Sequence, residues 1–237
     1  MAIYLDNLAT TPLDPEAFQA MLPWLGKPGN PHARIHPHGV EAARAVERAR
    51  DQVARACGVR ASEVFFTPSA TAANNLAVAG IAEARAKRGR HLLATTIEHP
   101  SVREPLRALA AAGFEVEWVP VGSSGVVDPD EVGRRLRPDT VLVSVMAVNN
   151  EIGTVQPIEA IRSLLGRKGP LLHVDAAQAA GKVPLAPLAS LADLLTLSSH
   201  KVHGPQGAAA LVLREGRSVH PVPRILGGGQ EGGLWPG

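Results

Sequence analysis

The chain has 237 residues, 45% of them hydrophobic and 19% charged, with a formal net charge of +2. That length and composition support a sizeable core and exclude a disordered chain. The near balance of charge, without a block of Lys or Arg, argues against nucleic acid as a partner, and no apolar run is long enough to span a membrane.

Residues 1–25 are read as an N-terminal segment, and the Gly/Pro/His-rich piece Gly26 to Gly39 as an irregular loop opening a large domain over 26–213. Apolar residues at Val40, Ala43, Val46, Ala49, Val53 and Ala56 have a helical period, ended by Gly58. Val64 to Thr67 reads as a strand, Ala72 to Lys87 as a helix, Leu92 to Ile97 as a strand, and Ser101 to Ala112 as a helix closed by Gly113. Phe114 to Val121 is expected as a strand, and Asp128-Pro129 as the N-cap and first residue of a helix to Leu136. Val141 to Val148, Leu171 to Val174, Leu194 to Leu197 and Ala208 to Leu213 are strands in this reading, with a helix over Ile158 to Leu165. The alternation predicts an α/β fold with a mainly parallel sheet and helices on both faces. After Leu213 the chain is Pro/Gly-rich, so 214–237 is expected to be a tail with little to bury, partly disordered.

Sites in such sheets lie beyond the carboxyl ends of strands. Asp175 ends His173-Val174-Asp175, and Lys201 follows the later strand in Leu197-Ser198-Ser199-His200-Lys201. A strand-end carboxylate and a strand-end lysine are what a pyridoxal phosphate (PLP) site needs. The lysine amine forms a Schiff base with the cofactor aldehyde, and the carboxylate keeps the pyridine nitrogen protonated so that the ring accepts electrons. Alone, Asp175 reads as a cap or turn residue. The pairing changes that reading, with Gln178 three residues on and Ser198 and His200 just before Lys201. Attack requires a neutral Lys201, which an apolar setting promotes.

Ser69-Ala70-Thr71 precedes a helix whose free N–H groups suit a phosphate; a plain cap is the alternative. His99 stacks on a ring or shuttles protons, or is a satisfied loop histidine. Asn150 belongs to Asn149-Asn150-Glu151, a turn or a set of ligand contacts after a strand. His32, His36 and His38 have no carboxylate or thiolate nearby, so no metal site is expected. The one cysteine, Cys57, excludes an internal disulfide framework and fits a reducing compartment. The start Met1 to Asp6 does not read as a leader, so the cytoplasm is the expected location.

Several motifs occur in order: Tyr4 to Pro12, Gly29-Asn30-Pro31, Phe66-Thr67 with Ala70-Thr71 and Asn74-Asn75, Ile97 to Val102, Val145 to Thr154, His173 to Gln178, and Ser199 to Gly204. Together they resemble the cysteine desulfurases of the NifS/IscS type, PLP enzymes of the class-V aminotransferase group, from Tyr4 to about Glu231. The resemblance implies a PLP fold-type-I large domain and a homodimer. It also implies sulfur transfer from L-cysteine to an acceptor, leaving alanine, within sulfur metabolism and iron-sulfur cluster assembly. By the same resemblance Lys201 is the Schiff-base lysine, Asp175 the pyridine-nitrogen partner, Gln178 the contact to the ring oxygen and His99 the stacking, catalytic histidine. Ala70, Thr71, Ser198 and His200 fall at the phosphate end, and Asn150 where the family meets cofactor and substrate.

Departures accompany the likeness. Ser69 stands where the family has glycine, Leu8 where alanine is usual, and Gly232 and Trp235 where the family has arginines. The chain stops at Gly237, before the family's partner-subunit threonine, nucleophilic cysteine loop, substrate-carboxylate arginine and most of its small domain. Cys57 lies at a helix end on an apolar stripe and reads as a core residue. A C-terminally truncated PLP-binding chain that does not desulfurate alone is therefore expected. The alternatives are a non-catalytic remnant, a partner subunit completed by another chain, or a cysteine-independent PLP aminotransferase or lyase.

Overall fold

The computed structural model describes residues 3–166, 168–216 and 219–236. Two helices, α1 (Pro15–Leu25) and α2 (Pro37–Cys57), precede the first strand, β1 (Val64–Thr67). A continuous helical stretch follows as α3 (Ala70–Asn75), a wider π turn over Leu76–Gly80, and α4 (Ile81–Arg85). Strands and helices then alternate through β2 (His91–Thr95), α5 (Pro100–Ala111), β3 (Glu115–Val119), α6 (Pro129–Arg135), β4 (Thr140–Met146) and α7 (Ile158–Leu165). The series ends with β5 (Leu171–Asp175), α8 (Leu185–Leu191), β6 (Leu194–Ser198) and β7 (Ala209–Leu213).

Among the described residues the strands form one sheet in the order β1-β7-β6-β5-β4-β2-β3. The neighbours from β6 through β3 pair in parallel, whereas β7 runs antiparallel to both β6 and β1. The period of two along each strand divides the core between two faces. Leu142, Leu92, Leu171 and Leu194 face one side, where α3 to α5 cover them through Leu76, Val102 and Leu106. Val143, Val145, Leu172 and Leu195 face the other, under α2, α6, α7 and α8, which contribute Cys57, Val132, Ile161 and Ala189. The α/β sheet with helices on both faces is the architecture that the alternation predicts.

Local differences have local causes. The helix α1 has no buried residue, so no core-facing period announces it; Asp14 caps it by accepting from the N–H groups of Glu16 and Ala17. At α2 the start falls at Pro37, inside the expected loop, because His36 Nδ1 accepts from the Gly39 N–H. The helix expected from Ala72 begins at Ala70, under a cap from Ser69. Of the termini, residues 1, 2, 217, 218 and 237 lie outside the described residues. The described part of the tail is held at several points. Val219 is buried, the Val222 N–H donates to the Gly80 carbonyl, and Glu231 grips Arg50 through both carboxylate oxygens. Gly80 is needed where the tail crosses, since a Cβ there would sit 2.7 Å from the Val222 carbonyl oxygen.

Candidate active site

Asp175 ends β5 and Ser198 ends β6, while His99, Asn150 and the Ala70-Thr71 pair follow the ends of β2, β4 and β1. His200 and Lys201 lie in a single 3-10 turn directly after β6. With Gln178, all of these side chains line one cavity of about 280 Å³. Every candidate named from the sequence thus meets in one place, at the carboxyl edge of the parallel strands.

Asp175 is 4% exposed and forms the floor. Its Oδ1 accepts from the Ala177 N–H at 3.0 Å, and its Oδ2 accepts from Asn74 Nδ2 at 2.8 Å. His99 caps α5: its Nδ1 accepts from the Ser101 N–H at 3.1 Å and lies 2.8 Å from Ser101 Oγ. Burial holds the His99 imidazole below its ordinary pKa; Asp175 and Glu151 oppose this, whereas the charges of Lys201 and Arg103 reinforce it.

Lys201 Nζ and Gln178 Nε2 both donate to the Leu8 carbonyl, at 2.9 and 2.7 Å. The main chain of Leu8, rather than its side chain, therefore reaches the site. Burial pushes the Lys201 ammonium below its ordinary pKa, Asp175 counteracts this, and Lys182 adds to it. Such a shift favours the neutral amine that a nucleophilic lysine needs. Gln178 Oε1 accepts from Lys182 Nζ at 3.1 Å, which turns the amide nitrogen of Gln178 toward Leu8.

At the other end of the cavity Thr71 lies in the first turn of α3, and His200 Nδ1 sits 3.0 Å from Thr10 Oγ1. Ser69 Oγ accepts from the Ala72 N–H at 3.1 Å. Its φ of −161° is ordinary extended backbone, so serine stands here without strain. Asn150 Nδ2 donates to Glu151 Oε1 at 2.7 Å.

Three contributors escaped the sequence reading as individuals: Asn74, Ser101 and Glu98. Asn74 is fully buried among Ala73, Leu76 and Ala77, and a polar residue within an apolar helical run was the available signal. Glu98 is 2% exposed; its Oε1 accepts from Thr95 Oγ1 and from the Met146 N–H. Burial pushes its carboxyl up to about 8, with the Asp175 charge adding and the two hydrogen bonds opposing. Cys57 lies elsewhere, fully buried at the end of α2, and burial pushes its thiol up to about 11.

Residues 3–231 match the model of the aminotransferase class-V family. The cysteine desulfurase of Homo sapiens is 45% identical over 236 residues, covering 99% of this chain and 52% of that protein. A solved NifS-like protein superposes with a TM-score of 0.94 at 42% identity, over 100% of this chain and 65% of that one. SspA, solved in complex with cysteine, gives a TM-score of 0.93 at 38% identity, over 98% and 67%. The chain spans about half the length of the curated relatives it matches.

The family is PLP-dependent, and the cavity has a group for each polar part of that cofactor: an amine, a buried carboxylate, an amide and a hydroxyl-bearing end. Ser198 Oγ provides the independent check. It is buried, belongs to the cavity wall, and finds no hydrogen-bond partner among the described residues, which is the state of a group whose partner is a ligand. The residues present fit PLP. The chain belongs to the PLP-dependent class-V aminotransferase family and is a homologue of the cysteine desulfurases of the NifS/IscS type.

Proposed function

We propose that this chain carries the PLP site of a cysteine desulfurase, which takes sulfur from L-cysteine, passes it to a thiol acceptor and leaves alanine. The observation that carries the reading is the convergence of Lys201, Asp175, Gln178, His99 and a buried Ser198 hydroxyl on one cavity. Relatives named as cysteine desulfurases and a similar structure holding cysteine support the substrate.

When bound, PLP supplies an electron sink for the α-carbon of an amino acid. Lys201 Nζ is the amine that would hold the cofactor, and burial favours its neutral, proton-accepting form. Asp175 would accept from the ring nitrogen, and Gln178, its amide oriented by Lys182, would donate to the ring oxygen. His99 would contact the cofactor and exchange protons at Nε2, because Ser101 occupies Nδ1. Thr71, Ser198 and His200, with the helix start at Ala70, would hold the phosphate, and Asn150 would meet cofactor and substrate.

Cys57 is not the sulfur acceptor in this proposal. It is sealed in the core and holds its proton far above neutral pH, so the attacking thiolate comes from outside these 237 residues. The burial of Cys57 also favours a second reading for the chain on its own: slow transamination or α-proton exchange without persulfide formation. We propose a homodimer, or pairing with a partner chain, supported by the exposed Phe18, Leu22 and Leu25 of α1. A reducing compartment such as the cytoplasm suits a single free thiol; no helix among the described residues is long and apolar enough to cross a membrane.

The test is PLP uptake. The native chain is expected to bind PLP with visible absorbance, and borohydride is expected to fix the cofactor to Lys201, as located by peptide mass spectrometry. Lys201→Ala should lose both signals. An unchanged spectrum in that variant, or fixation at another lysine, refutes the assignment.

A further inference from the structure

Asn74 joins two parts of the cavity wall that come from different strands. Its Nδ2 lies 2.8 Å from Asp175 Oδ2 and 2.8 Å from Ser101 Oγ, which in turn lies 2.8 Å from His99 Nδ1. One backbone group decides the direction of every proton along this chain. The Ser101 N–H donates to His99 Nδ1 and cannot reverse, so Nδ1 carries a lone pair. Ser101 Oγ then gives its own proton to that lone pair and accepts from Asn74. Asn74 must present its NH2 end, and its second hydrogen goes to Asp175 Oδ2.

The reversed amide would set its oxygen against the Asp175 carboxylate, acceptor against acceptor. The orientation adopted has a cost: Asn74 Oδ1 is buried with no hydrogen-bond partner among the described residues. A side chain present for packing alone has no reason to carry that penalty, since an apolar residue of similar volume avoids it.

We propose that Asn74 is a positioning residue of the cofactor site, holding the Asp175 carboxylate aimed and keeping the Ser101 hydroxyl turned as a donor to His99 Nδ1. The proposal deepens the functional reading and rests on PLP occupying this cavity. It makes one buried amide the common support of the Asp175 carboxylate and, through Ser101, of His99 in the cavity wall.

Asn74→Leu keeps the volume and removes both hydrogens. With folding checked by thermal unfolding, its PLP affinity, titrated by visible absorbance, should fall about 10- to 100-fold at neutral pH, the worth of one hydrogen bond to a charged group. The nitrogen-15 shift of His99 Nδ1 should also move, because Ser101 Oγ is no longer held as its donor. A packing role would leave that shift where it stands in the native chain. Asn74→Asp is the second variant, for use if leucine prevents folding. It places two carboxyl groups against each other, so affinity should fall at least as far. Affinity within twofold of native with an unmoved His99 Nδ1 shift, in either folded variant, overturns the proposal. Nitrogen-15 NMR of the histidine-labelled chain without cofactor gives a separate measure. The Nε2–H form of His99 is expected, and an Nδ1–H form overturns the donor order. Failure of the native chain to take up PLP at Lys201 would sink the functional reading instead, and the tautomer would still decide the donor order.

Discussion

Glu98→Gln is expected to change how the stability of the fold depends on pH. Burial raises the Glu98 carboxyl from an ordinary 4.5 to about 8. Between those values the folded chain keeps a proton that the unfolded chain has released, so rising pH favours unfolding. The contribution is present in full below about pH 4.5 and lost as pH rises through about 8. At about 1.36 kcal/mol per unit, the whole shift corresponds to roughly 5 kcal/mol. His173 acts in the opposite sense: burial lowers it from 6.5 to about 4, so its contribution is lost as pH falls through that window. Above pH 6.5 the two effects separate, and about 2 kcal/mol of the Glu98 effect falls between pH 6.5 and 9. Urea unfolding of both proteins at several pH values in that interval measures it. The native chain should lose about 2 kcal/mol relative to the glutamine variant, which can keep the acceptor facing Thr95 and Met146. Parallel curves for the two proteins would refute the reasoning, since they would mean that Glu98 is ionised in the folded state at neutral pH.

Three further outcomes are expected. A thiol reagent should modify Cys57 only as fast as the chain unfolds, and the chain given cysteine, PLP and dithiothreitol should release sulfide no faster than free PLP; release lost in both Lys201→Ala and Cys57→Ser would make Cys57 the acceptor after all. Glu231→Ala removes both bonds to Arg50 and the acceptor of the Phe66 N–H, in a pair whose side chains are each only 12% exposed. It should cost about 3 kcal/mol and lower Tm by roughly 6–12 °C, read by calorimetry; a shift of a degree or less would mean that the tail is not held by this pair.

The parallel strands β2, β5 and β6 were legible because each is a short leucine-bearing run closed by a polar residue. The same feature exposed Asp175 and Ser198, which end their strands. The reversed β7 was not legible, because a strand's direction depends on how its connection crosses the sheet, and Ala208 to Leu213 carries no mark of it. Helix α1 was missed although Asp14-Pro15 is the same signal that located α6 at Asp128-Pro129. With no residue to bury, its periodicity had nothing to confirm. Helix α8, between Pro184 and Leu191, buries only Ala189 and was hidden in the same way. The network around Asp175 lay out of reach because Asn74 and Asp175 are 101 positions apart. The Leu8 carbonyl was beyond any reading of side chains, since a backbone acceptor has no residue signature.

The sheet order has a consequence for when the site comes into being. Among the described residues β1 pairs only with β7, and β7 is the last of these strands to be synthesised. Until Ala209–Leu213 emerges from the ribosome, β1 has no ladder to join, and the turn carrying Ala70 and Thr71 has no strand to anchor it. His99 and Asn150 follow β2 and β4, and Asp175 ends β5; these strands pair β2 to β4 and β4 to β5 and are already complete by then. The nascent chain thus offers the carboxylate, the lysine and the Ser198/His200 side of the anion cradle before the Ala70-Thr71 turn is anchored, and a cofactor arriving early finds a seat open on one side.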